Sequence, residues 1–171
     1  MIKPGQPAPD LDIKLVNGQT WNLKDQKPER FTMIAFFRGF HCPACKSYIS
    51  QFDALKSKYA ELGVDLIAIS MDTEERGRLA KSEWEINYIP IGYGLTIEQA
   101  KTWGLFFSNR IKDGEPDLFS EPGLFLIKQD NTIYYVNINS QPFGRPHLKG
   151  FVKSIQFIID RNYPARGEAI V

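Results

Sequence analysis

Cys42 and Cys45 stand two residues apart in the stretch FFRGFHCPACKSY, and they are the only cysteines among 171 residues. A thiol pair at that spacing can be half of a metal clip, a structural disulfide, or a dithiol that exchanges electrons. A tetrahedral metal site needs about two further ligands, and besides carboxylates the chain offers only its two histidines, His41 and the distant His147. Two inert buried thiols are the plain alternative. The surroundings favour the redox-active pair. Pro43 suits a first helical turn, which puts Cys42 near the helix N-cap, where unpaired backbone N–H groups and the positive end of the helix dipole stabilise a thiolate. Cys45 follows one turn later on the same side, placed to attack a mixed disulfide or sulfenic acid formed at Cys42. Arg38 is a candidate for lowering the Cys42 pKa, against the plain reading of a surface salt bridge. His41 is a candidate cation or proton carrier beside Cys42, or a ring that points elsewhere.

The elements that must hold this pair are legible in the apolar pattern. LDIKLV, the Asn17-Gly18 turn and QTWNL read as a hairpin. FTMIAFF (31–37) reads as a strand covered on both faces, and it ends at the cysteines. Ala44, Tyr48, Phe52, Leu55, Tyr59 and Leu62 recur at helical spacing and Gly63 stops them. VDLIAIS (64–70) completes a βαβ unit. Asp72 or Thr73 caps a further helix, a short strand carries Pro90, and another helix starts near Thr96. Residues 105–121 read as a long loop, with Phe106, Phe107 and Phe119 as candidates for covering the site, for a dimer contact, or for plain core packing. Glu121 reads as a solvated loop glutamate. GLFLIKQDNTIYYVNI reads as a second hairpin, and a final helix begins near Pro146. The expected architecture is one α/β domain over residues 1–171, a mixed sheet with helices on its faces and an N-terminal β-hairpin. The dithiol falls where a central strand feeds its helix, at the carboxyl end where open α/β sheets place their chemistry.

Composition removes several classes. The 21 Lys and Arg nearly cancel the 20 Asp and Glu, leaving +1 with no basic or acidic block, so neither nucleic acid nor a charged membrane surface is an expected partner. No apolar run approaches a membrane span and the N-terminus lacks the apolar core of a signal peptide, so a cytoplasmic location is expected. There, reducing conditions argue against a structural disulfide.

The CPAC motif after a buried strand, followed by a helix and a second strand, resembles the thioredoxin superfamily. Arg38-Gly39 ahead of Cys42-Pro43-Ala44-Cys45, the lead-in Pro4-Gly5-Gln6-Pro7-Ala8-Pro9, and the endings Pro142-Phe143-Gly144-Arg145-Pro146 and Asn162-Tyr163-Pro164-Ala165-Arg166-Gly167 are similar to its peroxiredoxin-like branch, the alkyl hydroperoxide reductase C / thiol-specific antioxidant (redoxin) family. The resemblance implies a thioredoxin-like fold and a thiol oxidoreductase with Cys42 as nucleophile and Cys45 as resolving thiol. It implies reduction of a hydroperoxide or a protein disulfide, recovery by an external thiol reductant of thioredoxin or glutathione type, and no bound cofactor. It also assigns Pro122 as a cis-proline packed against the dithiol. A redox-sensing or partner-binding module without turnover is the reading from a different class.

The chain departs from that family at three places. Peroxiredoxins carry a threonine or serine three residues before the reactive cysteine, a proline further upstream and an arginine opposite. Here those places hold Gly39, Ala35 and the neighbourhood of Pro122. Peroxide chemistry needs donors preorganised around the developing anion, whereas dithiol exchange requires only the pair itself. Arg38 and Arg145 are the candidates to replace the absent arginine.

Overall fold

The computed structural model describes residues 2–171. FTMIAF forms strand β3 (Phe31–Phe36), with all its residues buried. It pairs in parallel with β4 (Val64–Ile69) and antiparallel with β8 (Gly123–Lys128), so neither edge is free. Successive side chains of a strand point to opposite faces, and β3 divides its residues between two cores accordingly. Met33 and Ala35 join Ile49, Phe52, Leu66, Leu124, Phe151 and Ile155 on one face, together with both cysteines. Ile34 and Phe36 join Ile67, Ile69, Trp103 and Phe125 on the other.

Around this strand the sheet completes itself as expected of a thioredoxin-like fold. With β1 (Asp12–Leu15), β2 (Thr20–Asn22), β5 (Ile91–Tyr93) and β9 (Ile133–Ile138), the seven strands run in the order β2-β1-β5-β4-β3-β8-β9. The N-terminal hairpin pairs Ile13 with Trp21 and docks antiparallel on β5. Helices α1 (Pro43–Ala54), α2 (Lys56–Glu61), α3 (Glu74–Glu83), α4 (Ile97–Thr102) and α5 (Leu148–Asp160) cover the two faces. Thr73 is the residue that caps α3, and His147 caps α5, two positions later than a start at Pro146 implies. Trp21, Trp84 and Trp103 are buried, as core aromatics should be.

Two segments differ from the reading of the sequence. The helix expected over 44–62 is interrupted at Leu55 and becomes α1 and α2. Phe52, Leu55 and Tyr59 stay buried through the break; apolar spacing records which face is covered and is blind to a one-residue fault in the hydrogen-bond ladder. Gly63, at φ +74°, then turns the chain into β4, a conformation that favours glycine. The loop over 105–121 contains a small hairpin, β6 (Phe107–Asn109) against β7 (Leu118–Ser120), pairing Phe107 with Ser120 and Asn109 with Leu118. Three-residue strands of mixed polarity carry too little alternation to be read.

Pro122 is a further correction. No peptide bond among the described residues is cis, so the Glu121–Pro122 bond is trans. The extended chain passes from β7 into β8 here: the Glu121 amide donates to the Phe106 carbonyl at 2.7 Å and the Pro122 carbonyl accepts from the Asn139 amide at 3.0 Å. The straight passage satisfies both neighbours, and nothing in it calls for a reversal. Pro122 is nonetheless buried beside the end of β3, because the next residue, Gly123, pairs with Phe36.

Candidate active site at the N-terminus of the first helix

Cys42 is the N-cap of α1. Its Sγ takes the place a serine or aspartate oxygen usually holds and accepts the Cys45 amide at 3.2 Å. Pro43 follows at the first helical position, where its missing N–H leaves nothing unsatisfied. Cys42 is 3% exposed and Cys45 is fully buried behind it, both as free thiols.

One turn of helix gives the two sulfurs opposite chemistry. The Cys42 pKa is held down at about 6, first by a hydrogen bond from the Cys45 side chain and then by the Cys45 amide, Arg38 and Arg145, against the upward pull of burial. Cys42 is therefore a thiolate at neutral pH. Cys45 is pushed strongly up, first by burial and then by the hydrogen bond to Cys42, with Arg145 and the Arg38 backbone amide pulling the other way. The pair shares one proton and keeps it on the inner sulfur.

The loop between β3 and α1 is fixed from the neighbouring strand. Because β3 and β4 run in parallel with Phe36 opposite Ile69, the residues just past their ends meet. Asp72 reaches across and its Oδ2 accepts the Phe40 amide at 2.8 Å. Gly39 lies at φ +134°, and a Cβ there would come within 2.6 Å of Asp72 Oδ1. The glycine is thus required twice, by its backbone angle and by the carboxylate packed over it. Burial raises the Asp72 pKa, with the Phe40 amide opposing it. Asp72 is expected from its position only as an alternative helix cap to Thr73; the parallel β3–β4 register is the signal that places it over the cysteine loop instead.

Arg38 forms an ion pair, and its partner is far from a surface group. Glu121 is 1% exposed and receives Arg38 Nε at 2.8 Å and Nη2 at 2.7 Å, a bidentate pair. Ser108 Oγ donates to the same carboxylate at 2.5 Å. The expectation of a solvated Glu121 is overturned: β6 and β7 fold over the site and carry the carboxylate inward, where three donors meet it and offset the cost of its burial. The Arg38 guanidinium also lies 5.2 Å from the centre of the Phe119 ring.

His41 packs its ring 4.6 Å from that of Phe119, and neither ring nitrogen has a hydrogen-bond partner among the described residues. Burial lowers its pKa to about 4, Glu115 opposing and Arg76 assisting. The imidazole is neutral in the neutral range, which removes the role of cation, and no hydrogen bond joins it to either sulfur. Phe119 is buried, Phe107 partly so, and Phe106 remains 53% exposed.

Arg145 approaches from the other side. It comes from the segment between β9 and α5, donates from Nη1 to Cys45 Sγ at 3.6 Å, and lies 4.2 Å above the Tyr48 ring. Its Nε donates to the Pro142 carbonyl at 3.0 Å, and Tyr48 Oη donates to the Pro146 carbonyl at 2.8 Å. A cleft of about 230 Å³ runs along this side, lined by Ala44, Tyr48, Phe143 and Arg145 among others. A cavity of about 630 Å³ along α3 includes neither cysteine. No cluster of three metal-ligating side chains occurs among the described residues, and no helix there is long and apolar enough to cross a membrane.

Comparison with known proteins agrees with this arrangement. A model of the AhpC/TSA family matches residues 4–136. Peroxiredoxin Bcp of Bacillus subtilis is 28% identical over 88 residues, 52% of this chain and 55% of that protein, so the match spans about half the length of that relative. The thioredoxin-like protein YneN of the same organism is 20% identical over 139 residues, 81% of this chain and 74% of YneN. Among solved structures, peroxidoxin BcpB from Mycobacterium tuberculosis superposes with a TM-score of 0.74 at 18% identity, covering 92% of this chain and 99% of that one. AhpC of the same organism gives 0.76 at 12% identity over 96% and 97% of the two chains. At such identities the superpositions establish the fold.

Proposed function

The chain is a member of the AhpC/TSA family with peroxiredoxin-like thiol redox chemistry, and we propose that it is a dithiol oxidoreductase whose substrate is a protein disulfide. The carrying observation is the Cys42 sulfur at the α1 N-cap, accepting the Cys45 amide at 3.2 Å with a second, fully buried thiol behind it. Cys42 attacks first, because it is the thiolate and keeps the slight exposure that a partner can reach. Cys45 then displaces the bound sulfur and closes the Cys42–Cys45 disulfide. An external thiol of thioredoxin or glutathione type reopens it by attack at Cys42.

The donors that peroxide reduction needs speak for disulfides over peroxides. Residue 39 has no hydroxyl, Arg38 is held on two edges by Glu121, and Arg145 reaches Cys45. The Cys45 amide is the one hydrogen-bond donor from a backbone or charged group that meets Cys42 Sγ among the described residues. Hydroperoxide reduction is the second reading, favoured by the likeness to peroxiredoxin Bcp.

The test compares second-order rates of the fully reduced protein with a peptide disulfide and with hydrogen peroxide. Turnover of the disulfide under an external reductant, with a peroxide rate no higher than that of a free small-molecule thiolate of similar pKa, is expected. A peroxide rate far above such a thiolate overturns disulfide specificity in favour of the second reading. Oxidation without multiple turnover under any reductant overturns both and leaves a sensor.

A further inference from the structure

The geometry points to Arg145 as a catalytic residue of the second chemical step, the guanidinium that stabilises the Cys45 thiolate while it attacks Cys42. This rests on Cys42 and Cys45 acting as the exchanging pair.

The groups facing Cys45 are few. Cys42 lies on the same turn of α1 and Tyr48 on the next; Arg38 comes from the loop after β3 and presents its backbone amide to the sulfur, its side chain being engaged by Glu121; Arg145 comes from the segment before α5. Among the described residues Arg145 alone brings a side-chain cation to the inner sulfur, at 3.6 Å. It is also uncompensated, since no carboxylate pairs with it among the described residues. It is held by the Tyr48 ring, and its Nε by the Pro142 carbonyl, so the donor is oriented before any chemistry begins. Arg145 also lies past residue 136, where the match to the family ends.

The need for it changes between the two steps. In the reduced protein the Cys45 thiol donates to the Cys42 thiolate and has no reason to ionise. Once Cys42 is bonded to a substrate sulfur, that negative charge is gone and the Cys45 proton has lost its acceptor. Burial still opposes ionisation, and the guanidinium is the largest attraction left. Cys45 then releases its proton and its thiolate attacks Cys42 Sγ. The Cys42–Cys45 bond forms, the bond from Cys42 to the substrate sulfur breaks, and that sulfur leaves with the electron pair and takes up a proton. Over both steps the thiolate–thiol pair gives up two electrons and its one proton, and the substrate disulfide, with a second proton from solvent, becomes two thiols.

A single-turnover reaction with a neutral dipyridyl disulfide separates the steps, because each thiolate that leaves is a chromophore. The first equivalent reports attack by Cys42 and the second reports closure by Cys45. Arg145→Met and Arg145→Gln are expected to slow the second phase on the order of tenfold more than the first and to move its pH midpoint up by about one unit. Arg145→Lys, which restores a cation, should recover part of both. Wild-type protein that releases no second equivalent overturns the dithiol reading itself. A second equivalent that appears with wild-type rate and midpoint in the Gln variant overturns the role of Arg145 and leaves the dithiol reading standing. If the Met variant loses its far-ultraviolet circular dichroism, the Gln and Lys variants decide by the same two readings.

Discussion

Arg38 and Arg145 both lie beside the dithiol, but Arg38 meets a carboxylate that is 1% exposed, whereas Arg145 meets a tyrosine ring and a thiol. On the β6–β7 side charge is cancelled locally. Glu121 takes two bonds from Arg38 and one from Ser108, and the result ties the covering hairpin to the loop that presents Cys42. On the 142–147 side the charge is left standing. The same residue type thus serves architecture in one place and reactivity in the other, and the presence of a buried partner decides which.

Breaking the compensated side should have the largest effect. Arg38→Met strands the Glu121 carboxylate and is expected to cost about 3 kcal/mol of stability in urea unfolding. Adding Glu121→Leu should return more than half of that loss; a double variant no better than the single one would mean that shape, and not charge, holds the hairpin. An intermediate effect is expected on reactivity. Alkylation of Cys42 should follow a midpoint at about 6, with the thiolate reactive above it and the rate falling roughly tenfold by one pH unit below. In Cys45→Ala that midpoint should rise, because the hydrogen bond from the Cys45 side chain is the largest support of the thiolate. An unmoved midpoint would transfer the credit to the helix N-terminus and the arginines. The smallest effect belongs to the uncompensated side: Arg145→Met should change stability by about 1 kcal/mol or less, the loss of one cation–ring contact. A loss as large as that of Arg38→Met would erase the contrast between the two arginines.

The positions of Cys42 and Cys45 at a strand-to-helix junction were legible because they rest on local rules. A buried strand reads as a continuous apolar run, a proline marks a first helical turn, and the spacing of three residues puts both sulfurs on one side. The covered strands β3, β4 and β8, the N-terminal hairpin and the final helix follow from the same periodicities. Glu121 was misread for the opposite reason. Its charge says solvent, and only the folding of β6 against β7 brings Arg38 and Ser108 to it. Pro122 was misread because a fold-level resemblance was carried to a residue whose immediate neighbours make both backbone bonds in the trans form.

By itself the sequence determined the fold class and the place of the cysteine pair at a strand-to-helix junction, because helix capping and strand burial depend on residues close in the chain. Only the tertiary structure decided which arginine meets the buried carboxylate and which meets the inner thiol. Arg38 and Glu121 are 83 residues apart and Cys45 and Arg145 are 100 apart. Electrostatic effects depend on distance in space and on burial, and neither quantity is written in the spacing of residues along the chain.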